Sequence, residues 1–374
     1  MLISLTTTLA AQADYAADIQ AGLKLLVARL PETTQAATLV APSLVAGGRL
    51  WLAGDSGFVS EALGRAGGLM PLNALARPDD LGKGDVVLLG ALGTPTEQDE
   101  AVFGKACEVG APVVVFGPTE AEKWGCLWLP LPERAAEALP TVTPLLVAEM
   151  WTFTGELVGA LTRLGKMPPM WQSVLVPGGR ERNEPHLKVQ WEPGEPPVVA
   201  PGVLGRTYLA RIANCLRSFT RTQAEGVREA AQLAAAAKRA GHTAWFACLG
   251  HLPPELPKQP GEPGVFKPLT LAPEKLADEV KPGDLILYFG YYEPLGPWVE
   301  SAHAAGAKIV TIVSGTPERR AEEMGADLNL DGCWPFGDSV VQVPSYDIKV
   351  LPASGFMQAV QYFMLNEALA EALQ

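Results

Sequence analysis

Stretches with apolar residues at helical spacing alternate along this chain with short runs that are apolar throughout. From Asp14 to Leu30 the apolar positions keep a helical period that Pro31 interrupts, and Pro42 and Gly47-Gly48 punctuate the approach to a first strand, Arg49 to Gly54. Val113 to Phe116 and Ile309 to Val313 are nearly unbroken apolar runs, as expected of strands covered on both faces. Segments of helix length, Thr96 to Val109 and Trp298 to Ala305, lie between strands. Gly205 to Ala240 is alanine-rich and mostly helical, ending at Gly241, where glycine supplies the positive φ of a helix end. Phe356 to Leu373 reads as a core helix. This alternation predicts an α/β chain of two doubly wound, flavodoxin-like domains, each a mostly parallel sheet flanked by helices.

The same pattern is written twice, at an offset of roughly 200 residues, far longer than any solenoid period. Gly48-Arg49-Leu50-Trp51-Leu52-Ala53 is echoed by His242-Thr243-Ala244-Trp245-Phe246-Ala247, with a Trp in the same slot. Lys83-Gly84-Asp85-Val86-Val87-Leu88 is echoed by Pro282-Gly283-Asp284-Leu285-Ile286-Leu287, and Gly110 to Phe116 by Gly306 to Ile312. Glu122 to Gly125 against Glu322 to Gly325 extends the series. The order survives, so the chain reads as a duplication: a first domain over 1–164, a connection over 165–204 and a second domain over 205–374. The connection is rich in Pro and Gly and shows no period.

Length and composition fit two domains, since 374 residues with 48% apolar content can fill two ordinary cores. Against 41 acidic residues stand 29 basic ones, a formal charge of -12, which opposes a sequence-independent grip on nucleic acid or on an anionic membrane. Five cysteines show no paired spacing and no C-x-x-C, so neither a disulfide framework nor a metal site is indicated. No run approaches the length of a membrane span, and the N-terminus lacks a basic n-region. A soluble, cytoplasmic protein is expected.

Candidate chemistry lies in the loops after the strands. Gly54-Asp55-Ser56-Gly57-Phe58-Val59-Ser60 follows the first strand, and Gly90-Ala91-Leu92-Gly93-Thr94-Pro95-Thr96 follows a second. In a parallel sheet both lie at carboxyl ends, where helix N-termini offer N–H groups to anions. Neither a G-x-G-x-x-G fingerprint nor a Walker lysine motif is present, so no cofactor is implied. The bland alternative is that the glycines serve tight turns and the hydroxyls cap helices.

The succession Gly48 to Gly57, Gly84 to Gly90 with its Gly-Thr-Pro-Thr loop, and Gly110 to Val114 resembles the sugar isomerase (SIS) domain family, and the second half resembles a more eroded member. The resemblance implies a phosphosugar ligand near an interdomain cleft, contacted by Ser56, Gly57, Ser60, Thr94 and Thr96. It is also compatible with a homodimer, an interface that two fused halves could satisfy internally. In the second copy the matching turns, Gly250-His251-Leu252 and Gly290-Tyr291-Tyr292-Glu293, carry no Ser or Thr. Family isomerases carry Gln-Glu-x-His on a terminal helix, where this chain has Gln358-Ala359-Val360-Gln361. A working isomerase needs a carboxylate base and a second acid-base group, and Glu149, Glu293 and His251 are the candidates. Arg180 and Arg182, in the connection, are candidates for charge-assisted bonds to a phosphate. Three readings stay open: a phosphosugar-binding protein, an active aldose-ketose isomerase, and a scaffold that has lost its ligand.

Overall fold

A computed structural model describes residues 2–91, 96–117, 127–130, 139–259, 262–291, 295–315 and 325–374. Two compact units form. The first-sheet unit comprises Ala21–Ala213 and Gly337–Ala353, and the second-sheet unit comprises Met1–Gln20, Asn214–Phe336 and Ser354–Gln374.

A single helix, α1 (Leu2–Val45), contains both Pro31 and Pro42, where the sequence pattern predicts a break. Both prolines stand on its exposed face. There the fixed φ of proline suits a helix, and solvent can take over the carbonyl that loses its N–H partner. The first sheet follows: β1 (Leu50–Gly54), α2 (Ser56–Ala62), β2 (Leu72–Ala74), β3 (Val86–Gly90), α3 (Glu97–Val109), β4 (Val113–Gly117) and β5 (Leu127–Pro130). Its five strands are all parallel, in the order β2-β1-β3-β4-β5. Then come α4 (Leu139–Arg163), the short α5 (Gly179–Asn183), α6 (Val203–Thr222) and α7 (Ala224–Arg239).

The second sheet is built from β6 (Ala244–Cys248), β7 (Lys267–Pro268), β8 (Leu285–Tyr291), α8 (Leu295–Ala304), β9 (Lys308–Ser314) and β10 (Leu328–Asp331). Its order, β10-β9-β8-β6-β7, is that of the first sheet strand for strand. Both sheets are parallel α/β layers flanked by helices, the architecture that the alternating pattern predicts. An antiparallel pair, β11 (Ser339–Gln342) and β12 (Lys349–Pro352), belongs to the first-sheet unit. The chain ends in α9 (Ser354–Leu373), which buries Phe356, Met357, Val360, Phe363, Met364 and Leu365 as its spacing predicts.

The duplicated sequence marks have one structural cause. Asp85, just before β3, accepts from Trp51 Nε1 at 2.9 Å, from the Arg49 backbone N–H at 2.9 Å and from the Gly82 N–H at 2.9 Å. Asp284, just before β8, repeats the set with Trp245 Nε1 at 2.8 Å and the N–H groups of Thr243 and Lys281, each at 2.9 Å. Each carboxylate thereby ties the entrance of one strand, the turn before its own strand and an indole into one bonded group. A cation covers each indole face as well: Arg49 lies 4.7 Å from the Trp51 ring and Lys267 4.4 Å from that of Trp245. Gly84 and Gly283 take φ +87° and +91° in the two turns, which only glycine adopts without strain. Gly48 is equally constrained, because a Cβ there would stand 1.9 Å from the Gly84 carbonyl oxygen.

Burial works to raise the pKa of Asp85, but the bonds from Arg49, Gly82 and Trp51 outweigh it and hold the carboxyl at about 2, against an ordinary 3.8. Asp284 is lowered in the same way. A depressed carboxyl stabilises the fold fully above its ordinary pKa and loses that contribution as pH falls toward its folded value. Asp85→Asn and Asp284→Asn should each cost about 1–3 kcal/mol in chemical denaturation at pH 7. Between about pH 4 and 2 the Asp85→Asn protein should lose less stability than the parent. Parallel acid profiles for the two proteins would refute the role given to Asp85.

Candidate functional site

At the carboxyl end of the first sheet the two candidate turns are pinned together. Gly54 leaves β1 at φ +97°, close enough to β3 that a Cβ would stand 2.0 Å from the Gly90 carbonyl oxygen. The next N–H, that of Asp55, donates to this same carbonyl at 2.8 Å. Gly90 in turn faces the Phe58 ring, which a Cβ would meet at 2.2 Å. Glycines at 54 and 90 are therefore dictated by how closely α2 and β3 approach, and they hold the mouth of the turn in shape.

Three helix-end N–H groups in these turns, those of Gly57, Phe58 and Asp99, are already in use. Asp55 caps α2, its Oδ1 accepting from the N–H groups of Gly57 at 2.8 Å and Phe58 at 3.3 Å. Thr96 caps α3 in a reciprocal box: its hydroxyl accepts from the Asp99 N–H at 3.2 Å and donates to Asp99 Oδ2 at 2.8 Å, while its own N–H donates to that oxygen at 2.9 Å. Thr96 is thus a helix cap, the bland alternative the sequence left open. Ser56 is exposed as the first residue of α2, and Ser60 sits half-buried one turn on. Gly57 is buried, with its N–H given to Asp55. Thr94 lies outside the described residues. With Glu97 and Glu100 beside Asp99 in the first turn of α3, the edge of this site is acidic.

The other candidates are not gathered here. Arg182 is committed: its Nε and Nη2 grip Asp347 at 3.0 and 2.9 Å, its Nη2 also donates to the Tyr346 hydroxyl at 2.9 Å, and its Nη1 donates to the Met170 carbonyl at 2.6 Å. The Tyr346 hydroxyl also accepts from the Met170 N–H and donates to Glu192. The guanidinium that the sequence offered to a phosphate instead ties the connection to the β11–β12 hairpin. Arg180 is exposed and has no ion-pair partner among the described residues. His251 is half-buried in the second-sheet unit, past the end of β6. Glu293 lies outside the described residues.

Glu149 is 2% exposed within α4, and its Oε2 has no hydrogen-bond partner among the described residues. Burial pushes its pKa well above the ordinary carboxylate value, opposed by Arg29 and reinforced by Glu32. It is a carboxyl enclosed in a core, and nothing described brings it to the turns.

The sequence reading missed two further constellations built on buried carboxylates. Glu61, Arg65 and Asp338 form a chain in the first-sheet unit, with Arg65 Nε 3.3 Å from Glu61 Oε1 and Arg65 Nη2 3.0 Å from Asp338 Oδ2. Trp151 Nε1 also donates to Glu61 at 3.1 Å. Glu156 accepts from Thr34 Oγ1 at 2.8 Å, Gly202 N–H at 2.7 Å and Gly205 N–H at 2.9 Å, so a side chain of α4 caps α6. Apart from the local pair Glu61 and Arg65, the members of each constellation lie far apart in sequence, so they leave no local signature. The caps did have one: Asp55 before a small-residue turn and Thr96-x-x-Asp99 are N-cap patterns readable from sequence.

No family model matches this sequence, and no curated protein matches it. Solved structures do. A provisionally assigned sugar binding protein from Salmonella typhimurium LT2 superposes with a TM-score of 0.51 at 14% identity, covering 96% of this chain and 99% of that one. The C-terminal domain of glucosamine-fructose-6-phosphate aminotransferase from Francisella tularensis gives 0.52 at 8% identity, covering 94% of this chain and 96% of that one. The fold is the SIS type, in tandem. At such identities the likeness establishes the SIS fold alone, and function rests on the site. Among the described residues no helix is long and apolar enough to cross a membrane, and no cluster of His, Cys, Asp and Glu could hold a metal ion.

The buried acid at position 149 supplies a test of this geometry. A carboxyl whose folded pKa is raised favours the native state at low pH and disfavours it progressively as pH climbs from the ordinary value through the folded one. Glu149→Gln keeps the shape without the titration. The variant should melt higher than the parent at pH 7 and close to it at pH 4. A variant less stable than the parent at pH 7 would mean that a charged Glu149 is doing something the described contacts do not account for.

Proposed function

We propose that this protein binds a sugar derivative, phosphosugars being the first class to test, at the carboxyl end of its first sheet. The observation that carries the reading is the exposed residue Ser56 at the pinned β1–α2 turn, with Ser60 one helical turn on, on a tandem SIS fold. Thr94, which follows β3 in sequence and lies outside the described residues, is the third hydroxyl of the proposed set. Likeness to a domain of an enzyme named for fructose 6-phosphate supports this by analogy of fold. Because Asp55 already takes the Gly57 and Phe58 N–H groups at the start of α2, a phosphate here would be met by hydroxyls.

The filled caps favour a second reading, in which the turns are purely structural and the protein is a scaffold. The isomerase reading has less behind it: of its three candidate acid-base groups, Glu149 is shut in a core, His251 belongs to the second-sheet unit and Glu293 is outside the described residues.

A thermal-shift series with glucose, fructose and glucosamine 6-phosphates, each beside its unphosphorylated parent, separates these readings, because a ligand bound only by the native state raises stability by mass action. A rise with phosphates alone is expected. In the double variant Ser56→Ala, Thr94→Ala the affinity for any hit should fall at least tenfold, about 1.4 kcal/mol. Unchanged affinity would remove the hydroxyl cradle, and no rise with any sugar would leave the scaffold reading.

A further inference from the structure

The first-sheet unit has a cavity of about 230 Å³ at the amino end of its sheet, the opposite end from the Ser56 turn. For scale, an apolar cavity of about 150 Å³ suffices for benzene. Its walls are Leu44 of α1, Leu50 at the start of β1, and Leu157 and Leu161 of α4. Pro168 and Trp191 of the connection close one side, so part of this Pro/Gly-rich segment is cavity wall rather than a spacer. At the floor, Gly47 takes φ +101° with open space where a Cβ would be, and Gly48 has no room for one.

The polar lining is sparse and uncharged apart from one arginine. Arg49 is held elsewhere: its guanidinium bonds both carboxylate oxygens of Asp85 and the Asp80 carbonyl, and it lies over Trp51. No free cation therefore faces the cavity among the described residues, which disfavours an anion such as a phosphosugar. What remains are two exposed side-chain amides. Asn73 Nδ2 reaches the Leu50 carbonyl at 3.4 Å and Gln190 Nε2 the Leu44 carbonyl at 3.4 Å, leaving both amide oxygens as acceptors at the mouth.

The geometry points to a second ligand site here, for an uncharged, ring-sized apolar molecule carrying one hydrogen-bond donor. Leucine walls take the ring, the half-buried Trp191 indole flanks it, and an amide oxygen of Asn73 or Gln190 receives the donor. Such a lining, apolar with a few placed polar groups, is the usual make-up of a small-molecule pocket. The site is independent of the phosphosugar proposal, since it shares no residue with the Ser56 turn.

The test is a fluorine NMR titration of the full chain with 5-fluoroindole as probe. One saturable site is expected below millimolar concentration, undisturbed by saturating glucose 6-phosphate. Asn73→Phe, which fills the mouth from an exposed position, and Trp191→Ala, which removes the flanking ring, should each weaken binding at least fivefold without lowering the melting temperature by more than a few degrees. A response that stays linear to the solubility limit overturns the proposal. So does displacement by glucose 6-phosphate, or wild-type affinity in both variants.

Discussion

The bonded group around Asp85, and its twin around Asp284, is the constraint on which each sheet depends. A parallel sheet has no hairpins to set its register, so the entrances of neighbouring strands must be aligned by something else. Here one carboxylate receives N–H groups from the residue before β1 and from the turn before β3, and an indole N–H from within β1. With that alignment β1 and β3 pair over their full lengths, Leu50 against Val86 through Gly54 against Gly90. The carboxyl end inherits the register: Gly54 meets Gly90 at close range, and the Asp55 N–H closes on the Gly90 carbonyl. The shape of the Ser56 turn is thus decided at the other end of the same strands.

This also explains how much of the molecule could be read from its sequence. The Trp slot and the Gly-Asp pair were visible as echoes about 200 residues apart, and the contact that makes them indispensable joins residues in the same echo. Alternating apolar runs and helical stretches were enough to give two parallel α/β sheets, because strands buried on both faces leave an unmistakable run such as Val113 to Phe116. The break expected at Pro31 failed because proline forbids a helix only where its lost bond cannot be replaced, and an exposed face replaces it. The hairpin of β11 and β12 and the role of Arg182 were illegible. That role depends on a tyrosine and an aspartate more than 160 residues from the arginine.

At the candidate site the residue types were legible in the sequence, whereas their occupations emerge only in the structure. Ser, Thr and Asp near a helix start are ambiguous between binding an external anion and capping the helix themselves, since both use the same unpaired N–H groups. Asp55 and Thr96 resolve the ambiguity toward capping at two places. At the N–H groups that these caps occupy, an anion would have to displace the protein's own side chain.

The two ends of the first sheet therefore differ in chemistry. The carboxyl end is polar and acidic, with helix-start N–H groups taken by Asp55 and Thr96. The amino end encloses leucines under a proline and a tryptophan supplied by the connection. Arg49 stands at the boundary between the Asp85 group and the cavity, and because its charge is spent on Asp85 and Asp80 the cavity stays apolar. Had that guanidinium been free, the same pocket would have been an anion site. The interaction that sets the register of the first sheet thus also decides what kind of molecule its amino end can admit.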